Sequence, residues 1–189
     1  MRKVWGFGWM VVGALGLAAC AVPEPEPVRT TATVPAYVPD MRRADRVMPS
    51  VADFVLVDKS DRLLVLYSGG HAFKAYRDLQ FGDAPLGHKR FEGDERTPEG
   101  RYTIDTRNPQ SAYHLSLRVS YPNAADRAYA ARYGRSPGGD IFIHGQPNGL
   151  ASDLRMRGDW TDGCIALSNA EIEELWRLIP DGTPIEIRP

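Results

Sequence analysis

Residues 140–169 read DIFIHGQPNGLASDLRMRGDWTDGCIALSN, and the reading of the 189-residue chain turns on them. Ile141-Phe142-Ile143 is a short run of β-branched and aromatic residues, the pattern of a strand. It delivers His144 and Gly145 at its end. A glycine-bearing loop follows, and Thr161-Asp162-Gly163-Cys164 then stands just before a hydrophobic stretch. Ser168-Asn169-Ala170-Glu171 has the capping-box form: the serine oxygen accepts from the third helical N–H, and the glutamate there reaches back. Ile172, Leu175, Trp176 and Ile179 recur at helical spacing and predict one buried face, and Pro180 and Gly182 stop the helix.

Outward from this stretch the chain alternates short apolar runs with turn residues. Strands are predicted over Phe54–Val57, Arg62–Tyr67, His71–Tyr76, Gly100–Asp105, Tyr113–Val119 and Pro184–Ile187. Ser68-Gly69-Gly70 turns the second into the third. A second, Ala-rich helix is predicted over Asn123–Tyr133, ended by Gly134. Short strands broken by Gly, Pro and Asp predict a mainly β (α+β) domain over residues 51–189.

Composition narrows the function. The chain is 43% hydrophobic and 25% charged, with a formal net charge of −1. That suits one domain with appendages, and it lacks the basic excess that a nucleic-acid partner requires. The first residues are not part of the domain. Arg2 and Lys3 precede an apolar run from Val4 to Ala19, so residues 1–19 read as a secretory signal peptide. Residues 20–50 read as a linker: Pro23, Pro25 and Pro27 alternate with acids and favour extended conformations that bury no core. Arg42, Arg43 and Arg46 at its end read as solvated, with anionic lipid headgroups as the other candidate contact.

The chain has two cysteines, Cys20 and Cys164. A disulfide between them is the simplest expectation for an exported chain. The position of Cys20 argues otherwise, because Leu17-Ala18-Ala19-Cys20 closes the signal segment and resembles the lipobox of bacterial lipoproteins. That resemblance implies cleavage before Cys20 and acylation of its thiol and amino group. Several acyl chains at about 0.8 kcal/mol per buried methylene would hold the protein on the membrane. Ala21, where Asp would favour the inner membrane, leans the expectation to the outer membrane and a periplasmic domain. Cys164 is then unpaired in an oxidising compartment, which favours a reactive role.

A cysteine nucleophile needs a thiolate near neutral pH, a base within hydrogen-bond reach, and N–H groups aimed at a developing oxyanion. His144 is the candidate base. Gly163 permits a tight bend that uncovers the thiol, and the N–H groups around Gly163 and Cys164 are the candidate oxyanion donors.

This segment resembles the L,D-transpeptidase (YkuD) catalytic domain family, which carries His-Gly at a strand end, a loop, then Ser or Thr, a variable residue, Gly and the nucleophilic Cys. His144-Gly145 and Thr161-Asp162-Gly163-Cys164 match, with sixteen residues, Gly145 through Trp160, between His144 and Thr161. Gly87-His88-Lys89-Arg90 and Thr97-Pro98-Glu99-Gly100-Arg101-Tyr102 resemble the family's earlier turn and strand. The likeness spans about Val51 to Pro189 and implies a β-sandwich with short helices packed on it. It implies Cys164 as nucleophile, His144 as proton donor and acceptor, the Gly145 carbonyl as the group orienting His144, and no metal or organic cofactor. Peptidoglycan stem peptides are the implied substrate. Asp162, where many members have His, and Ala166, where many have Arg, place the chain nearer a subgroup similar to YafK, which includes an enzyme that releases a wall-linked lipoprotein. Transfer to an amine and hydrolytic release both stand, with a wall-linked lipoprotein as a further partner.

Arg155 and Arg157, in the loop before the cysteine, are expected to bind substrate carboxylates or to lie in solvent. Thr161 and Asp162 are further substrate-contact candidates, and Trp160 and Trp176 read as packing residues. Two rival readings remain: a zinc hydrolase using Cys164 with some of His71, His88, His114 and His144, none of which shows metal-ligand spacing, and a non-catalytic lipoprotein that binds the wall.

Overall fold

The computed structural model describes residues 51–189; the expected signal peptide, Cys20 and the linker lie outside the described residues. Alternation with period two sets the strands. In β1 (Phe54–Asp58) Val55 and Val57 point inward, and in β8 (Thr183–Arg188) Ile185 and Ile187 do the same, paired in parallel register with them. The remaining elements are β2 (Leu63–Ser68), β3 (His71–Tyr76), β4 (Gly100–Asn108), β5 (Ser116–Val119), α1 (Ala124–Arg132), β6 (Ile141–His144), β7 (Ile165–Ala166) and α2 (Asn169–Leu178).

The eight strands of the described residues form one sheet in the order β3-β2-β1-β8-β4-β5-β6-β7. The β1/β8 and β6/β7 pairs are parallel and the others antiparallel. The sheet curls until its two ends meet. Just beyond β3, the Gln80 N–H donates to the Ala166 carbonyl at 3.0 Å, and the Ala166 N–H returns to the Gln80 carbonyl at 2.8 Å. This joins the outer strand β7 to the other edge and satisfies backbone groups that an open edge would leave bare. Inside lie Leu64, Leu66, Ile104, Leu117, Ile141, Ile143 and Ile165, all nearly or fully buried. Helix α2 adds Ile172, Leu175 and Ile179 to that core. Burying each such side chain contributes about 1.5–3 kcal/mol. The mainly β architecture with two short helices is the one the sequence pattern predicts.

Both helix starts follow the sequence signals. Ser168 and Glu171 form the reciprocal capping box on α2, and Asn123 with Asp126 forms a second on α1. Two differences bear on the site. The strand predicted from Tyr113 begins only at Ser116, because His114 takes a positive φ of 66° and bends the chain. The two-residue β7 has too little length to show a period.

Candidate active site

The pairing of β6 with β7 assembles the site. His144 is the last residue of β6 and stands opposite Ala166 of β7, and Cys164 immediately precedes β7. His144 and Cys164 line one cleft of about 600 Å³, walled also by Tyr113, Ser116, Asp140 and Trp160.

His144 is held from several sides. Only 2% of its surface is exposed. Its Nδ1 lies 2.7 Å from the Gly145 carbonyl oxygen. A carbonyl only accepts, so Nδ1 carries the proton and Nε2 keeps the lone pair. The Tyr113 ring lies 4.6 Å from the imidazole at 31°, and Trp160 meets it at 5.6 Å and 67°. Burial lowers the histidine's pKa below its ordinary value, with the Gly145 carbonyl opposing. The imidazole is neutral at neutral pH, as a base must be.

The Cys164 sulfur is partly exposed. It accepts from the Phe142 N–H at 3.4 Å and lies 3.5 Å from the Asp140 carbonyl. Burial pushes the thiol up to about 11; Asp162 and Asp140 reinforce this, and the Phe142 N–H and Lys89 oppose it. The resting pair is therefore a neutral thiol with a neutral imidazole, an arrangement for general-base proton transfer rather than a standing ion pair.

The turn that presents the sulfur explains its composition. The Thr161 hydroxyl donates to the Cys164 carbonyl at 2.8 Å and accepts from the Gly163 N–H at 3.2 Å. Gly163 has φ +124°, and a Cβ there would sit 2.4 Å from the Arg96 carbonyl oxygen. Thr161 thus closes the turn with its hydroxyl, and the Gly163 N–H is engaged within it. Among the described residues the Cys164 N–H meets no backbone acceptor, which leaves it free to donate.

The structure places the two loop arginines away from the cleft. Arg155 Nη2 lies 3.6 Å from the Glu171 carboxylate at the start of α2, and Arg157 is exposed; neither lines the cleft. The charged side chains that do are Asp140 and Asp162. Ala166 is fully buried in β7, so this position is packed within the sheet and does not face the cleft mouth. The remaining histidines are dispersed. His71 opens β3, His88 Nε2 meets Asp126 at 3.0 Å, and His114 Nε2 meets Glu173 at 2.8 Å. Among the described residues no three His, Cys, Asp or Glu side chains are grouped to hold a metal ion.

Several residues of the site carry no sequence signal of their own. Tyr113 arrives from the bent segment before β5. Gln146, fully buried, donates to the Gln80 side chain at 3.1 Å and to the Leu167 carbonyl at 2.6 Å, and accepts from the Met156 N–H at 2.9 Å. Gln80 in turn donates to the Met156 and Gly158 carbonyls at 2.7 and 2.6 Å. Arg62 grips both Asp159 oxygens at 2.7 Å, and the Phe81 carbonyl accepts from the Trp160 and Thr161 N–H groups at 3.1 Å. These bonds tie residues 146–160 to Arg62 and to the chain beyond β3.

A cysteine and a buried histidine brought to one cleft by a parallel strand pair in a curled β-sheet define the class. The sequence profile described as YkuD, L,D-transpeptidase catalytic domain, matches residues 52–187, and the chain belongs to that family. Among curated proteins, Escherichia coli K12 YafK, named for an inferred L,D-transpeptidase activity, is 27% identical over 134 residues, 67% of this chain and 46% of YafK. Among solved structures, the helical cell shape determining protein Pgp2 of Campylobacter jejuni aligns at 29% identity and TM-score 0.57, covering 71% of this chain and 46% of that one. Bd1075 of Bdellovibrio bacteriovorus aligns at 28% and TM-score 0.50, covering 72% and 48%. The chain thus spans about half the length of these relatives.

Proposed function

We propose that this L,D-transpeptidase-type domain acts through Cys164 on peptidoglycan stem peptides in cell-wall remodelling. The observation that carries the reading is the His144–Gly145 hydrogen bond beside Cys164 in one cleft, which leaves the imidazole Nε2 as the base. In the proposed reaction Nε2 takes the thiol proton as sulfur attacks the carbonyl of an L-to-D peptide bond. The Cys164 N–H donates to the oxyanion. The tetrahedral intermediate collapses, the imidazolium protonates the leaving amine, and a thioester remains. An amine then takes the acyl group, or water hydrolyses it; in both cases the imidazole removes the attacking proton and returns it to the sulfur.

Transfer to an amine is the leading outcome. Hydrolytic release of a wall-linked lipoprotein is the alternative, and a purely wall-binding lipoprotein is the non-enzymatic one. The chain would act in the periplasm, held by lipid on Cys20, with the outer membrane favoured. The test is incubation with purified sacculi, with and without bound lipoprotein, and identification of products by mass. New cross-links support transfer, released lipoprotein supports hydrolysis, and unchanged sacculi contradict both.

A further inference from the structure

The bond that fixes His144 depends on a single peptide unit. Its carbonyl is that of Gly145, which receives the Nδ1 proton at 2.7 Å. Its N–H is that of Gln146, which donates to the Asn169 side-chain oxygen at 2.8 Å in a buried setting. The two groups belong to one rigid plane, so what holds the N–H also aims the carbonyl. The same side-chain oxygen would lie 2.6 Å from a Cβ on residue 145, and His114 and Ile172 atoms would lie at 3.0 Å. Only glycine lets Asn169 come this close. On the other side, the Gly145 N–H is shared between the Tyr113 and Leu115 carbonyls at 3.0 and 3.2 Å.

We propose that Asn169 is the positioning residue for His144, acting through the Gly145–Gln146 peptide unit. The order is Asn169 oxygen, peptide N–H, peptide carbonyl, Nδ1, and at the far side of the ring the Nε2 lone pair. A hydrogen bond accepted from one end of an amide strengthens the carbonyl at its other end, so the unit both aims and polarises. This supplies by relay what a carboxylate or amide supplies directly in hydrolase triads: a fixed tautomer. Asn169 is nearly buried in the first turn of α2, where the Ser168–Glu171 cap fixes the helix start. Helix α2 is thereby coupled to the base.

The inference rests on His144 being the base proposed above, so the test separates the two. Nitrogen-15 NMR of the full chain, labelled at histidine, reads the His144 tautomer without any substrate. Wild type is expected to show protonated Nδ1 and bare Nε2. Asn169→Ala is expected to mix the tautomers and to lower kcat on stem peptides by about 10- to 100-fold, by analogy with loss of the partner that orients a metal-ligating histidine, with little change in KM. Asn169→Asp keeps the acceptor and restores both readouts. A His144 that stays in the single Nδ1–H form in Asn169→Ala, or a folded Asn169→Asp that loses it, overturns the inference. Should the alanine variant not fold, the aspartate variant decides by the same criterion. Absent turnover in wild type with the expected tautomer response would refute the proposed function and leave this inference standing.

Discussion

Raising the pH should increase the reactivity of Cys164 far beyond the point where ordinary catalytic cysteines level off. The thiol stands at about 11. An unperturbed cysteine titrates at about 8.5, and each unit of difference is about 1.4 kcal/mol. The folded site therefore disfavours the thiolate by about 3 kcal/mol, less whatever water recovers at the partly exposed sulfur. At pH 7 the thiolate fraction is then about one in ten thousand, against a few per cent for a free cysteine. The assay is alkylation of Cys164 by iodoacetamide, followed by intact mass, from pH 6 to 10.5. The rate should rise close to tenfold per unit from pH 7 to 9 with no plateau. His144→Ala should keep that slope, because a neutral imidazole gives the thiolate no countercharge. A plateau below pH 8, lost in His144→Ala, would show a standing thiolate–imidazolium pair and refute the reasoning.

Other outcomes follow from the same geometry. Asp162→Asn should raise the alkylation rate at pH 8, by up to about fivefold if about 1 kcal/mol of screened repulsion is removed, because Asp162 pushes the thiol up. Gly163→Ala should cost about 2–4 kcal/mol, combining the positive φ with the close approach to the Arg96 carbonyl, and urea denaturation would read it. Gln146→Leu leaves the Met156 N–H and the Gln80 oxygen unpaired; it should cost about 2–4 kcal/mol and expose residues 147–160 to limited proteolysis. Cys164→Ala should gain stability relative to wild type as pH rises above about 8.5: there the unfolded thiol ionises first, so the unfolded state binds fewer protons and wild-type stability falls. Parallel urea titrations at pH 7 and 10 would check it.

What could be read in the sequence was whatever local chemistry specifies. Ser168 and Glu171 announce α2 because a cap is a four-residue event. Val55 and Val57 sit in a short apolar run and Ile185 and Ile187 in another strand-like segment, and such patterns are visible within five or six residues. His144, Gly163 and Cys164 stood out because a strand end and a turn glycine leave local marks. The rest depends on long-range closure. Tyr113 reaches His144 only because His114 bends the chain before β5, and no periodicity encodes that bend. Gln80 meets Gln146 because the sheet curls until β7 meets the chain after β3. Arg155 turns to Glu171 because that carboxylate stands at the start of α2, and the loop sequence does not show which anion is nearest. The position of Ala166 within β7 was equally invisible, since two residues show no alternation.

The most direct test of the central claim is intact-mass spectrometry of the protein during turnover of a stem tetrapeptide. Trapping at low pH should reveal a covalent adduct on Cys164 that raises the protein's mass by the stem peptide less the free D-amino acid, which departs carrying the thiol proton. The adduct should be absent in Cys164→Ala and formed much more slowly in His144→Ala. Product formation with Cys164→Ala, or an adduct mapped to any other residue, would contradict the account.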